Sequence, residues 1–87
     1  MEIVFTDIAY EHLQYFQSQN QTNILKKVRE LIESITKSPF TGIGKPEPLK
    51  YRYSGCWSRR ISKEHRLIYK VENNCCIILS LKGHYEL

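Results

Sequence analysis

Apolar and polar residues recur with two different periods along the chain. Residues 23–37 give the clearest helical spacing. Ile24, Leu25, Val28, Leu31, Ile32 and Ile35 form one stripe, with Lys26, Lys27, Arg29, Glu30 and Glu33 elsewhere, which predicts an amphipathic helix. Residues 8–18 follow the same period less regularly, through Ile8, Ala9, Leu13 and Phe16. Thr6 or Asp7 is placed to cap that helix. The polar stretch Ser18-Gln19-Asn20-Gln21-Thr22 predicts a turn, so the two helices form a hairpin. The apolar run at 2–5 before them predicts a strand, at the edge or centre of a sheet.

Residues 38–48 hold Pro39, Pro46, Pro48, Gly42 and Gly44 and read as a loop. Beyond it the period becomes two. Residues 56–62, 65–72 and 75–85 read as strands, and 47–53 as a further one. Lys63-Glu64 and Asn73-Asn74 read as two-residue hairpin connections. Odd positions of the last three strands are Trp57, Ile61, Leu67, Tyr69, Val71, Ile77, Leu79 and Leu81, an apolar face expected to cover the helices. Even positions are Ser58, Arg60, Arg66, Lys70, Ser80, Lys82 and His84, with Ile68 and Ile78. This second face is expected to be cationic. Arg59 falls on the apolar face and must snorkel, pair or mark a bulge.

Eighty-seven residues leave room for one domain, 1–87. The composition, 41% hydrophobic and 25% charged, excludes disorder and low complexity. Cys56, Cys75 and Cys76 are an odd set with no metal-ligand spacing, so reduced, mostly buried thiols are expected and no metal. Glu2 stands where a signal peptide needs basic residues, and a cytoplasmic protein without a membrane segment is expected.

The net charge of +4 is uninformative until it is located. Residues 45–70 carry Lys45, Lys50, Arg52, Arg59, Arg60, Lys63, Arg66 and Lys70 against Glu47 and Glu64, a balance of +6. The other residues hold five basic and seven acidic groups, a balance of −2. Such a face suits a phosphate backbone, with Tyr51, Tyr53, Trp57, Tyr69 and Tyr85 interleaved where exposed rings can stack on bases. It equally suits a solvated sheet surface over an aromatic core.

Glu47 is the acid that needs a reason. It lies between Pro46 and Pro48, which restrict where its carboxylate points. His84 lies at the far end of the cationic face. A carboxylate and an imidazole with arginine between them can cleave RNA without a metal. On the residues alone, Glu47 is equally a loop acid paired with Lys45 or Lys50, and His84 a strand-end residue without a task. His12 and His65 are assigned to structure.

The motifs Gly44-Lys45-Pro46-Glu47-Pro48-Leu49-Lys50, Ser54-Gly55-Cys56-Trp57-Ser58-Arg59-Arg60-Ile61, Glu64-His65-Arg66-Leu67-Ile68-Tyr69 and His84-Tyr85 follow one another in the chain. In that order they closely resemble the Txe/YoeB family, toxins of type II toxin–antitoxin systems within the RelE-like superfamily. The resemblance implies an α+β fold, with two N-terminal helices packed on one face of a twisted, mainly antiparallel sheet of four to five strands. It implies a ribosome-dependent endoribonuclease that cuts mRNA in the A site, without metal or other cofactor. Carried onto matching positions, Glu47 is the general base, His84 the general acid, and Arg66 the group that stabilises the transition-state phosphate. Lys45, Lys50, Arg60 and Tyr85 are substrate-binding. The implied partners are ribosome-bound mRNA, a cognate antitoxin and a second copy of the chain. The rival reading is a RelE-fold toxin that only binds, to ribosome, RNA or DNA gyrase. Glu47 and Lys50 differ in strand parity, so both reach one site only if Pro48 ends a loop or marks a bulge.

Overall fold

Thr6 begins the first helix as its sequence position suggests. In the computed structural model, which describes residues 1–84, its Oγ1 accepts the Ala9 N–H at 3.1 Å. The same hydroxyl donates to the Leu79 carbonyl at 3.2 Å, so the cap also ties the helix start to the sheet. Helix α1 runs Asp7–Ser18 and α2 Thr22–Lys37, after a strand β1 at Glu2–Phe5. Asn20 makes the turn between the helices at φ 53°, a left-handed conformation its short amide side chain tolerates.

The remaining strands are β2 (Glu47–Pro48), β3 (Trp57–Arg60), β4 (Arg66–Glu72) and β5 (Cys75–Ser80). They form one five-stranded sheet in the order β1-β5-β4-β3-β2. Strand β1 is an edge strand and pairs parallel to β5; every other pair is antiparallel. The α+β architecture of two helices on a mixed sheet is thus the expected one. Val28, Leu31 and Ile35 of α2 and Ala9 and Phe16 of α1 pack on Ile61, Leu67, Tyr69, Cys76, Ile78 and Leu81. Each fully buried Leu or Ile side chain contributes about 1.5–3 kcal/mol of transfer free energy to this core.

Three expectations are corrected. First, the inward positions of β5 are even, not odd: Cys76 and Ile78 are completely buried, and Leu79 lines a pocket on the other face. The cause is the two-residue turn at Asn73 and Asn74, both at positive φ, which pairs Glu72 with Cys75. Partners across it have opposite parity, so Tyr69 faces Ile78 and Val71 faces Cys76. A register shift opposite Ile68/Tyr69 reverses the parity again and returns Leu81 to the core. Second, the connection between β3 and β4 spans 61–65 rather than two residues. It pairs Arg60 with Arg66, and parity is kept across it. Third, 47–53 is not one strand. The strand ends at Pro48, and a 3-10 turn follows at Tyr51–Tyr53, with Tyr51 at φ 56°. The chain folds back at once, through Tyr53 N–H to Lys50 O and Cys56 N–H to Tyr53 O.

The cysteines are free, and only Cys76 is fully buried; Cys56 and Cys75 are half-buried. Burial, then the neighbouring Cys75, pushes the Cys76 thiol up to about 11, so it stays protonated near neutral pH. No described helix is long and apolar enough to cross a membrane.

Candidate active site

Arg59 neither snorkels nor marks a bulge. Its guanidinium is completely buried on the inner sheet face and all five N–H groups find acceptors. Nε donates to Tyr69 Oη at 3.1 Å. Nη1 donates to Ser34 Oγ at 2.7 Å and Ile43 O at 3.0 Å. Nη2 donates to Ser38 O at 2.8 Å and Thr41 O at 2.9 Å. Tyr69 Oη in turn donates to Pro39 O at 2.7 Å. Burial raises the Tyr69 phenol pKa, against the opposing pull of Arg59. Two side chains therefore take four carbonyls of the 38–43 loop, whose Phe40 and Ile43 side chains stay exposed. Gly44 closes this loop at φ +83°, where an added Cβ would lie 2.6 Å from Leu31 Cδ2. The loop so fixed delivers Lys45, at φ 52°, and then Glu47.

Glu47 is exposed and pairs with Ser58. The registers continue Ser58 to Ile68 and Ile68 to Ser80, so Glu47, Ser58, Ile68 and Ser80 form one row across four strands. The neighbouring row, Pro48, Trp57, Tyr69 and Ile78, faces the helices, so the Glu47 row lies on the opposite face. Arg60 and Arg66 form the next row on that outer face. The face is not an open, solvated surface throughout. Ser58 and Ile68 are only 4% and 5% exposed, and Ile8, Tyr53, Leu79 and His84 stand with Ile68 and Ser80 around a pocket of about 260 Å³.

Arg66 is held from one side. Its Nη1 donates to Ser62 O at 2.7 Å and His65 O at 3.1 Å, and its other guanidinium N–H groups take no acceptor among the described residues. It lines a second pocket of about 390 Å³ with Lys45, Arg60, Lys63 and Lys27. Among the described residues no acid lines that pocket, and the one ion pair is Lys70 with Glu72 at 3.7 Å, elsewhere on the sheet. Five cations with no counter-charge among the described residues make the pocket attractive to an anion such as phosphate.

His84 reaches the face by a turn. Gly83, at φ +77°, donates its N–H to His65 Nδ1 at 2.8 Å and accepts the Arg66 N–H at 3.0 Å. The chain then places His84, exposed, beside Ile68 and Ser80, in the row that begins with Glu47. No hydrogen bond or ion pair joins Glu47, Arg66 and His84 to one another. Lys50 is exposed, two residues beyond the end of β2 at Pro48. Tyr85 lies outside the described residues. Lys27 and Tyr53 line the two pockets although sequence reasoning gave neither a site role; Lys27 stood merely off the apolar stripe of α2, and Tyr53 was one of five interleaved aromatics. Two others of those five, Trp57 and Tyr69, belong to the inner row and cannot stack on bases.

The family model describing YoeB-like toxins of bacterial type II toxin–antitoxin systems matches residues 5–85. The chain belongs to that family. It is 46% identical over 86 residues to Toxin YoeB of Synechocystis sp., covering 99% of both chains, and 41% identical over 85 residues to Toxin YoeB of Escherichia coli K12, covering 98% of this chain and all of that one. A YoeB/ParE toxin from Agrobacterium tumefaciens superimposes with a TM-score of 0.93 at 34% identity, over 98% of this chain and 100% of that chain. A Staphylococcus aureus YoeB, 46% identical over 98% of both chains, is known in a heterotetrameric YoeB–YefM toxin–antitoxin complex at a TM-score of 0.88, and as a dimer at 0.89. The more distant YafQ of E. coli, 19% identical at a TM-score of 0.74, shares the fold.

Proposed function

We propose that this YoeB-like toxin is a single-domain, ribosome-dependent endoribonuclease that cleaves mRNA in the A site. The observation that carries the reading is the outer sheet face. Glu47 stands in one row of it, His84 lines a pocket with Ile68 and Ser80 of that row, and Arg66 of the adjoining row lines a second pocket with four further cations. Glu47 and Ile68 are two strand spacings apart, about 10 Å between Cα atoms, which leaves room for a ribose phosphate between acid and base.

In the reaction Glu47 takes the proton of a ribose 2′-OH, and O2′ attacks the adjacent phosphorus. Arg66 and the pocket cations stabilise the charge on the pentacoordinate phosphate through N–H groups that no other described residue engages. His84, as imidazolium, protonates the departing 5′ oxygen. The P–O5′ bond breaks, which leaves a cyclic 2′,3′-phosphate and a 5′-OH end. No step requires a metal. The antitoxin complex and the dimer of the S. aureus relative support an antitoxin and a second copy as partners here, in the cytoplasm.

Mapping mRNA 5′ ends after incubation with translating ribosomes tests this directly. New 5′-OH ends within A-site codons are expected. Ribosome binding without new ends would replace the nuclease with a toxin that acts by occupancy. Salt provides a second check, on ribosomes programmed with 2′-O-methyl mRNA that cannot be cut. If about three phosphates are neutralised, affinity falls roughly twentyfold between 50 and 200 mM salt. A flat response would move the binding surface away from the Lys45–Arg60–Arg66 pocket.

A further inference from the structure

Two histidines outside the proposed chemistry grip the segment that carries His84. His65 Nδ1 accepts the Gly83 N–H at 2.8 Å, and His12 Nδ1 accepts the Leu81 N–H at 3.1 Å. An imidazole nitrogen accepts only when it bears no proton, so both rings are neutral in this arrangement, with their hydrogen on Nε2. The rings belong to one layer. Phe16, completely buried, packs edge-on against His65 with centroids 5.1 Å apart, and His12 lies one helical turn before Phe16 on α1. The next peptide of the chain is the one that bears His84.

We infer that His65, seconded by His12, is a positioning residue for His84, holding the Leu81–Gly83 backbone in place only as a neutral imidazole. The inference rests on the proposed role of His84. Gly83 is gripped at both its polar atoms, N–H by His65 and C=O by the Arg66 N–H. Protonating His65 turns its acceptor into a donor that faces another donor, so the N–H half of the grip fails. The segment that orients the general acid is then joined to β4 by a single bond. The charged groups that face the two rings are few. Glu11 on α1, Lys82 on the gripped segment and His65 act on His12. Arg66 on β4 donates to the His65 carbonyl, and Lys63 and Glu64 precede His65 in the loop. Burial first, then Lys82, lowers the His12 pKa from the usual 6.5, against the pull of Glu11. The folded state therefore favours neutral His12. Its contribution to stability is present above about pH 6.5 and is lost as pH falls below it.

The consequence is an acid limb in the cleavage rate that His84 does not produce. A general acid loses activity as pH rises, whereas the grip loses activity as pH falls. His65→Asn separates the two, because the asparagine amide oxygen stands near the Nδ1 position and does not titrate. Amide hydrogen exchange and 15N–1H shifts of Gly83 and Leu81 in the full chain, between pH 5 and 8, read the grip without reference to catalysis. In the wild type, Gly83 protection is expected to fall about fivefold to tenfold between pH 8 and pH 5, the loss of one hydrogen bond. His65→Ala should show that loss at every pH and lower kcat with little change in KM. His65→Asn should keep both the protection and the rate at pH 5.5. A Gly83 amide indifferent to His65→Ala overturns the inference whatever the cleavage assay shows. An amide released with kcat unchanged overturns the positioning role. Absence of cleavage by the wild type would sink the nuclease reading, while the amide data still decide whether the grip exists.

Discussion

Replacing Arg59 by alanine is expected to lower the stability of the domain by about 3–5 kcal/mol, the range for breaking a buried, fully bonded charge network. The lost atoms are the donors for Ser34, Ser38, Thr41, Ile43 and Tyr69, so five acceptors lose their donor at once. For a chain of this size a loss of that order lowers Tm by roughly 15 °C or more, in a scanning denaturation with Arg59→Ala beside the wild type. Arg59→Lys should recover little, because an ammonium has three donors and no planar fork to span the same acceptors. A fall in Tm under about 5 °C in both variants would show that the loop is held by other means. The effect reaches function as well. The 38–44 loop sets where Lys45 and Glu47 emerge, so the folded fraction of Arg59→Ala should also cleave poorly.

Glu47→Gln and His84→Gln are each expected to reduce mRNA cleavage by about 10²–10⁴, the scale of a positioned acid or base. Both side chains are exposed, so stability should change by no more than about 0.5 kcal/mol. Arg66→Ala should cost about 10²–10³ in kcat, as for loss of a transition-state donor, with about 1 kcal/mol of stability from its bonds to the Ser62 and His65 carbonyls. The double variant Glu47→Gln/His84→Gln should be little slower than either single one, because residues that act as a unit are not additive. Single-turnover cleavage on programmed ribosomes measures all four. A His84→Gln protein cutting at the wild-type rate would remove His84 as the acid and point to another donor near the leaving oxygen.

These expectations differ in how much of them could be read along the chain. Ile24 to Ile35 specified α2 because a period of 3.6 is a local property of the backbone. The strands were located by a period of two for the same reason. Which face each strand position occupies was less legible. A two-residue turn and a register shift each reverse parity, and both are settled by how β4 pairs with β5 rather than by either strand's own alternation. Hence Ile78 was placed outward and Leu79 inward, the reverse of the structure. Arg59 was recognised as an anomaly, yet its five acceptors come from α2, the 38–43 loop and β4, and no local pattern foretells such a convergence.

The chain by itself determined the two helices, the strand-rich C-terminal half, the concentration of charge in residues 45–70 and, through its ordered motifs, the family. Each of these is carried by spacing or by residue identity. Tertiary structure alone decided that Glu47 and the pocket beside His84 lie along one row, that Arg66 offers one side of its guanidinium to a cation-lined pocket, and that His65 and His12 grip the backbone before His84. Those relations join residues up to 69 positions apart, from His12 to Leu81. They arise only when strand pairing and core burial select one register from the many the sequence pattern allows.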